Sequence, residues 1–358
     1  MHMQLGHVIQ LTLFGTSHGP FVGATLEGVP SGIALVNERI QFAMDRRKTG
    51  GSFSSKRKET DEVIWMSGFK NGKTDGSKIE CRIMNQDARS TDYGFLPDHP
   101  RPGHQDLVMH HRTKGTADLR GGGMSSARLT APIVAMGALL SPWLNEQGVD
   151  IKAHVHQIGA ARSKNIDLCP DEWETELCAE LKCRDSSASL QMKDILDQTR
   201  KNLDSIGSSV ECRISGLPIG IGEPWFDGLE PALARAMMAI PAARGVQFGY
   251  GFDAVLMNGS SHNGTWGGTG EKPILEGERP DGALAGLSTG APVSMIIAFK
   301  PPSSIAQPQM TLNMKSGVKE PLLVKGRHDP VLAPRAVAVV EALTCIVLAD
   351  LIIRERRT

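Results

Sequence analysis

The chain carries no excess charge of either sign, no long uninterrupted apolar run and no paired-cysteine motif. Lys+Arg and Asp+Glu are equal at 39 each over 358 residues. No global field therefore recruits nucleic acid or an anionic membrane, and any basic site must be local. No apolar run reaches the roughly 18 residues that suggest a membrane span. The opening stretch MHMQLGHVIQLTLFG lacks the basic flank, apolar core and small-residue cleavage site of a secretory signal, so a cytoplasmic location is expected. Cys81, Cys169, Cys178, Cys183, Cys212 and Cys345 contain no CxxC pair. The spacing from 169 to 183 suits no common zinc pattern, and reduced structural thiols with no metal are expected. Solenoid-period repeats and low-complexity tracts are absent as well.

What is present is a globular composition, 40% hydrophobic and 22% charged, on a chain long enough for one large domain or two ordinary ones. Glycine and proline clusters are spread along the whole length, which argues against a hinge linker and for a single domain over 1–358. Asn37 is placed to cap a helix in ERIQFAMDRRK, where Ile40, Ala43 and Met44 share a face. Residues 125–146, 188–205, 229–240 and 333–355 read as further helices, with Pro132 delaying or kinking the first of them. AVLMNGS (254–260) and PVSMIIAFKP (292–301) read as strands. Long helices mixed with runs of strands predict an α+β fold of layered sheets and helices.

Four segments combine glycine or proline with functional side chains. In FGTSHGPFVG, Ser17 and His18 lie between Gly15 and Gly19; a histidine on such a turn suits a general acid, and a plain strand-to-turn junction accounts for it equally well. In DHPRPGHQDL a proline-stiffened loop presents Arg101 and His104. In DLRGGGMSSARLTAP three glycines precede Ser125, Ser126 and Arg128. A glycine run beside a helix N-terminus can hold an anion, although no Gly-Lys-Ser/Thr or dinucleotide pattern follows. The serines can also simply cap the helix. Arg128 opposes the helix dipole there and needs a partner, for which a bound anion is a natural choice. Finally, KGRHDPVLAP sets Arg327, His328 and Asp329 in succession, with Asp329–Pro330 reading first as an N-cap and N1 pair. AFKPPSSIAQP adds Lys300, Ser303 and Ser304 on a polyproline-like stretch.

Together and in this order, GTSHG, RPGH, GGGMSSAR, KPPSS and GRHDP resemble the motifs of the chorismate synthase family. DSIG, GIGEPWFD and ARGVQFGYGF fit between them, and the resemblance runs from Leu11 to Ile353. It implies a single large α+β domain assembled as a homotetramer. The implied reaction is an anti-1,4-elimination of phosphate from 5-enolpyruvylshikimate 3-phosphate, which gives chorismate and requires reduced FMN, with NADPH as one possible reductant. By the same matching His18 would protonate the departing phosphate, His104 would protonate the flavin, and Asp329 would receive the ring proton. Ser17, Arg47, Arg101, Arg128 and Arg327 would hold the substrate. Ser125, Ser126, Ala242, Lys300, Ser303, Ser304 and Arg327 would hold FMN.

The sequence departs from the family pattern at Thr16, Phe53, Met124, Leu129, Pro241 and across ERPDGALAGLSTG (278–290). Arginines are missing at positions 53 and 124, each a charge-assisted contact of roughly 1.5–3 kcal/mol. Lys56, Arg57, His110, His111 and Arg112 are the nearby candidates to replace them. Met124 and Leu129 read as a coupled loss of Arg and Glu that orphans no charge. Two other readings stay open: a paralogue using reduced FMN on another cyclohexene, and a non-catalytic flavin- or anion-binding homologue.

Overall fold

A computed structural model describes residues 3–48, 60–86, 90–271, 273–326 and 328–356. Its interior is organised by two helices whose sequences are apolar all round, Thr130–Glu146 and Ala333–Glu355. Nearly every residue of the second, from Ala333 to Ile353, is buried, as expected for a helix with no polar stripe to offer water. The segment Arg120–Glu146, which ends in the first helix, and the helix Ala333–Glu355 are long and apolar enough to cross a membrane, and both are mostly buried inside the fold.

The two helices pack on each other between two five-stranded sheets. The first sheet runs, in spatial order, Gln4–Leu5, Gln10–Gly15, Phe21–Glu27, Ile79–Met84, Ile64–Ser67, with every pairing antiparallel. The second runs Ala243–Phe248, Val293–Phe299, Ser208–Ser215, Asp150–Ile158, Ala161–Arg162, again antiparallel throughout. Helix Thr130–Glu146 lies on the first sheet, and helix Ala333–Glu355 lies on the second. Strands such as Ile79–Met84 and Val293–Phe299 alternate buried and less buried positions, so that each sheet turns one face to the helices. This is the α+β layering expected from the sequence, around one contiguous apolar core.

Two acids on the C-terminal helix tie it to its surroundings. Glu341 accepts both guanidinium nitrogens of Arg46, at 2.6 and 2.9 Å, and the amide of Ala153 at 3.2 Å. Asp350 accepts the amides of His7, Val8 and Ile9 at 3.0, 2.7 and 2.8 Å. Each carboxylate satisfies donors that burial would otherwise strand.

Several local expectations need correction. Asn37 is the first helical residue, the cap is Val36 and no side chain caps it. Ala254–Ser260 is no strand: a 3-10 turn, Gly251–Leu256, and a short helix, Gly259–His262, occupy it. The helix expected from residue 125 does start late, at Thr130 after a 3-10 turn, with Pro132 in its first turn, where an amide needs no intrahelical partner. Asp329 is not an N-cap; the helix begins four residues later with Leu332 as cap, which leaves the carboxylate to other work. The expected Val293–Phe299 strand and the helices Ser186–Lys201 and Leu229–Met238 are present. All six cysteines are free thiols.

The helix pair meets closely at Gly137, where a Cβ would stand 2.5 Å from both Cα and Cβ of Ala342. Gly137→Ala is therefore expected to destabilise the protein by about 1–3 kcal/mol, even though alanine is the better helix former by about 1 kcal/mol. Urea unfolding midpoints check this against Gly270→Ala, where a Cβ meets nothing within 4 Å; equal midpoints would refute the close-packing account.

Candidate active site

Both core helices begin at the same cleft, of about 730 Å³. Thr130 reaches it from one helix, and Leu332, Arg335, Ala336 and Val339 reach it from the other. Neither N-cap residue, Leu129 or Leu332, supplies a side-chain cap; Ser208 Oγ accepts the Ala333 amide at 3.3 Å, and the positive end of each dipole is directed towards the cleft.

The loops that precede and flank these helices bring the sequence-predicted residues together. Ser17, His18, Arg47, Arg101, His104, Ser125, Ser126, Arg128, Ala242, Lys300, Ser303, Ser304 and Asp329 all line this one cleft. Arg327, with Phe53, Lys56 and Arg57, lies outside the described residues.

Three left-handed glycines shape the first wall. Gly121, Gly122 and Gly123 have φ of 58°, 87° and 55°. A Cβ on Gly121 would sit 2.5 Å from the His18 ring, so glycine there admits the imidazole. The loop spends its carbonyls inward. Ser17 Oγ donates to Arg120 O at 3.1 Å, Gln105 Nε2 donates to Gly122 O at 2.6 Å, and Ser17 N donates to Gly123 O at 3.2 Å. The Gly122 amide is itself used by Leu119 O, so the loop orients Ser17 and His18 more than it forms a row of free N–H groups. Ser17 Oγ lies 3.3 Å from His18 Nδ1, and Tyr93 packs edge-on against the ring at 5.1 Å. Ser126 caps the following 3-10 turn by accepting from Arg128 N.

His104 is held by a buried carboxylate that sequence reading passed over. Its Nδ1 lies 2.6 Å from Asp106 Oδ1, and Arg101 donates from Nε and Nη2 to the same carboxylate at 2.8 Å each. Burial pushes the Asp106 carboxyl up, but the hydrogen bonds from Arg101 and His104 outweigh it and hold the group well below the usual carboxylate range. Arg101 Nη1 also donates to Ser304 Oγ at 3.1 Å. The only sequence signal for Asp106 was its place two residues after His104.

A second unforeseen carboxylate, Asp61, bridges Arg47 and Arg128 through both oxygens. Arg128 further donates to Asn85 Oδ1 at 2.9 Å and to Met84 O at 3.0 Å. A partner for Arg128 is thus supplied from within by a residue 67 positions away. Arg47 Nε is buried with no hydrogen-bond partner among the described residues. Burial raises the Asp61 carboxyl, and the two guanidinium charges with their hydrogen bonds lower it further, leaving it depressed.

On the far wall, Lys300 Nζ and Ser303 Oγ donate to Gly103 O at 2.5 and 2.7 Å. Burial and the neighbouring Arg244 both lower the Lys300 pKa. Asp329 pairs with Arg335 at 3.1 Å.

Met124 is absent from this cleft. It lines an adjoining, largely apolar cavity of about 560 Å³ with Leu5, Leu11, Leu13, Leu129 and Ile133. Met124 and Leu129, the two apolar residues of the glycine loop and the turn after it, thus share one oily wall with Arg112 beside it. His110 and His111 line neither space.

A cleft lined by several cations, with two histidines and an aspartate among them, in a layered α+β fold is the site of an enzyme equipped for acid–base chemistry. A family model described as chorismate synthase matches residues 9–353. Chorismate synthases of Aeropyrum pernix and Methanococcoides burtonii are 41% and 40% identical over 350 residues, covering 98% of this chain and 92% and 95% of theirs. A crystal structure of chorismate synthase superposes with a TM-score of 0.75 at 26% identity, covering 98% of this chain and 93% of that one. The chain belongs to the chorismate synthase family, lyases of the final shikimate-pathway step.

Asp61→Asn removes the one charge between two buried guanidiniums and is expected to cost about 3–5 kcal/mol at neutral pH. The folded carboxyl titrates below its unfolded value near 3.9, so its stabilisation is complete above about pH 4 and fades as pH falls below that. Denaturant titrations should show the gap between wild type and variant closing on the acid side; a gap independent of pH would contradict the bridge.

Proposed function

We propose that the cleft binds reduced FMN together with 5-enolpyruvylshikimate 3-phosphate and releases chorismate and phosphate. The observation that carries this reading is the convergence of His18, His104 and Asp329 with Arg47, Arg101, Arg128 and Lys300 on one cleft. A substrate with two carboxylates and a phosphate matches that cation set, for which guanidinium forks are suited.

The flavin side fits the residues present. Lys300 and Arg244 are mutually repelling cations, an arrangement that a phosphate relieves. Ala242 adopts a left-handed φ of 71° while its carbonyl accepts from Lys300 N at 3.0 Å, which fixes the two flavin-side segments to each other. Ser125, Ser126, Ala242, Lys300, Ser303, Ser304 and Arg327 would hold the cofactor. Reduced FMN supplies electron density to an anti-1,4-elimination that has no easy concerted path.

The chain's own groups move the protons. His18, steadied by Ser17 and Tyr93, donates to the departing phosphate oxygen. His104, fixed by Asp106, supplies a proton at the cofactor edge. Asp329, freed from capping and steadied by Arg335, receives the proton lost from the ring carbon. Acids and a base kept apart by different partners are what such chemistry requires.

In this reading the whole chain acts as one domain, in the cytoplasm, as a homotetramer whose assembly covers the exposed Phe226, Phe252, Val255 and Leu256. The flavin is reduced by NADPH or by an outside reductase.

Anaerobic incubation with photoreduced FMN and 5-enolpyruvylshikimate 3-phosphate, followed by chorismate absorbance, tests the proposal. Product is expected. Tight flavin binding without product would instead mark a paralogue with a different substrate, and no flavin binding a non-catalytic homologue. His18→Ala should lower turnover by about 10²–10⁴-fold with FMN affinity intact; an unchanged rate removes His18 from the mechanism.

A further inference from the structure

A group of side chains away from the cleft remains unused by the reaction. On strand Asp150–Ile158, Ala153 and Val155 are fully buried, and the Ala153 amide is held by Glu341 of the C-terminal helix. Strand alternation turns His154 to the opposite face of the sheet. There it meets Glu211 of the neighbouring strand, its direct cross-strand partner. The register places Val210 opposite Val155 and Ser209 opposite Gln157, which leaves His156 as the extra residue of a bulge. Bulges re-aim side chains, and this one brings His156 to the same carboxylate.

His154 Nε2 lies 3.0 Å from Glu211 Oε2, and His156 Nδ1 lies 3.5 Å from that same oxygen. All three ligand atoms fall within 4.8 Å of one another. A tetrahedral zinc with bonds of about 2.0–2.2 Å separates its ligand atoms by roughly 3.3–3.6 Å, so small side-chain shifts complete the set. His156 Nδ1 is buried and makes no well-formed hydrogen bond among the described residues; its 3.5 Å approach to Glu211 Oε2 is at the outer limit of one. His154 Nδ1 meets only the Arg184 amide, at 3.5 Å, the outer limit of a hydrogen bond. Turning Nε2 to a metal moves the imidazole proton to Nδ1, which gives up this weak bond and requires the Arg184 amide to draw back from the new N–H.

We infer that His154, His156 and Glu211 form a binding site for a divalent cation of the zinc class, with water in the fourth position. Two imidazoles and one carboxylate suit such an ion. Glu211 Oε2 also accepts the Ile166 amide at 3.0 Å, which both orients the ligand and couples the site to the segment crossing over it. The bound ion clips that segment to the sheet and takes no part in the cleft chemistry.

The test uses the full chain stripped with chelator and titrated with cobalt(II) chloride. Tetrahedral or five-coordinate cobalt should give visible d–d absorption saturating at one ion per chain, displaced by zinc chloride. His156→Asn and Glu211→Gln should lose the absorption, and His18→Ala and His104→Ala should keep it. Zinc should raise the Tm of the wild type and leave His156→Asn unmoved. His156 is partly exposed, so its variant serves if Glu211→Gln does not fold. No bound cobalt, an unchanged spectrum in His156→Asn, or a spectrum lost with the cleft histidines would each overturn the inference.

Discussion

The close crossing of two apolar helices is the constraint on which the other features depend. Gly137 lets helix Thr130–Glu146 approach helix Ala333–Glu355 to backbone distance, and each helix carries one sheet on its outer side. Because the pair must be buried on all sides, both of its N-terminal ends emerge together at the edge of the core. Residues of the loops feeding them, Gly121, Gly122 and Ser125 to Arg128 on one side and His328, Asp329 and Leu332 on the other, are thereby brought to one cleft. Two helix N-termini then add their dipoles to the side-chain cations, so the positive character of the cleft follows from the packing of an apolar core.

Concentrating positive charge at a buried place has its own cost, which the protein offsets with buried carboxylates. Asp61 neutralises Arg47 and Arg128, and Asp106 neutralises Arg101 while gripping His104. A guanidinium without such a partner in low dielectric would repel its neighbours and pull the loops apart. Fixed partners also mean that the forks and rings are already oriented when an anion arrives, so less ordering is left for binding to bring about.

The layered α+β fold was legible in the chain because its signals are local. Residues 333–355 are mostly apolar with no glycine to interrupt them, and Val293–Phe299 is a short apolar run with Val293, Ile296 and Ile297 β-branched. The cleft was legible because its motifs are short and contiguous. What was not legible is pairing across the sequence. Nothing around Asp61 announces that it lies between residues 47 and 128, because masking or exposing a carboxylate is decided by tertiary packing. Asp329 illustrates the converse: the local rule for Asp-Pro made it a cap, and the delayed helix start gave it to the cleft. The His-x-His of strand Asp150–Ile158 escaped notice for a similar reason, since its third member is supplied by cross-strand register.

The apolar residues at 124 and 129 belong to this same logic. Read along the chain, a methionine in a serine- and arginine-rich loop looks like damage to an anion site. In the fold, the glycine loop has two sides. Ser125 and Ser126 touch both the cleft and the cavity behind it, whereas Met124 and Leu129 line only the latter. That cavity is walled by Leu5, Leu11, Leu13, Ile133 and Leu343, where an unpaired charge would be costly to desolvate. An apolar pair at 124 and 129 therefore suits its surroundings, and it subtracts nothing from the cations that line the cleft itself.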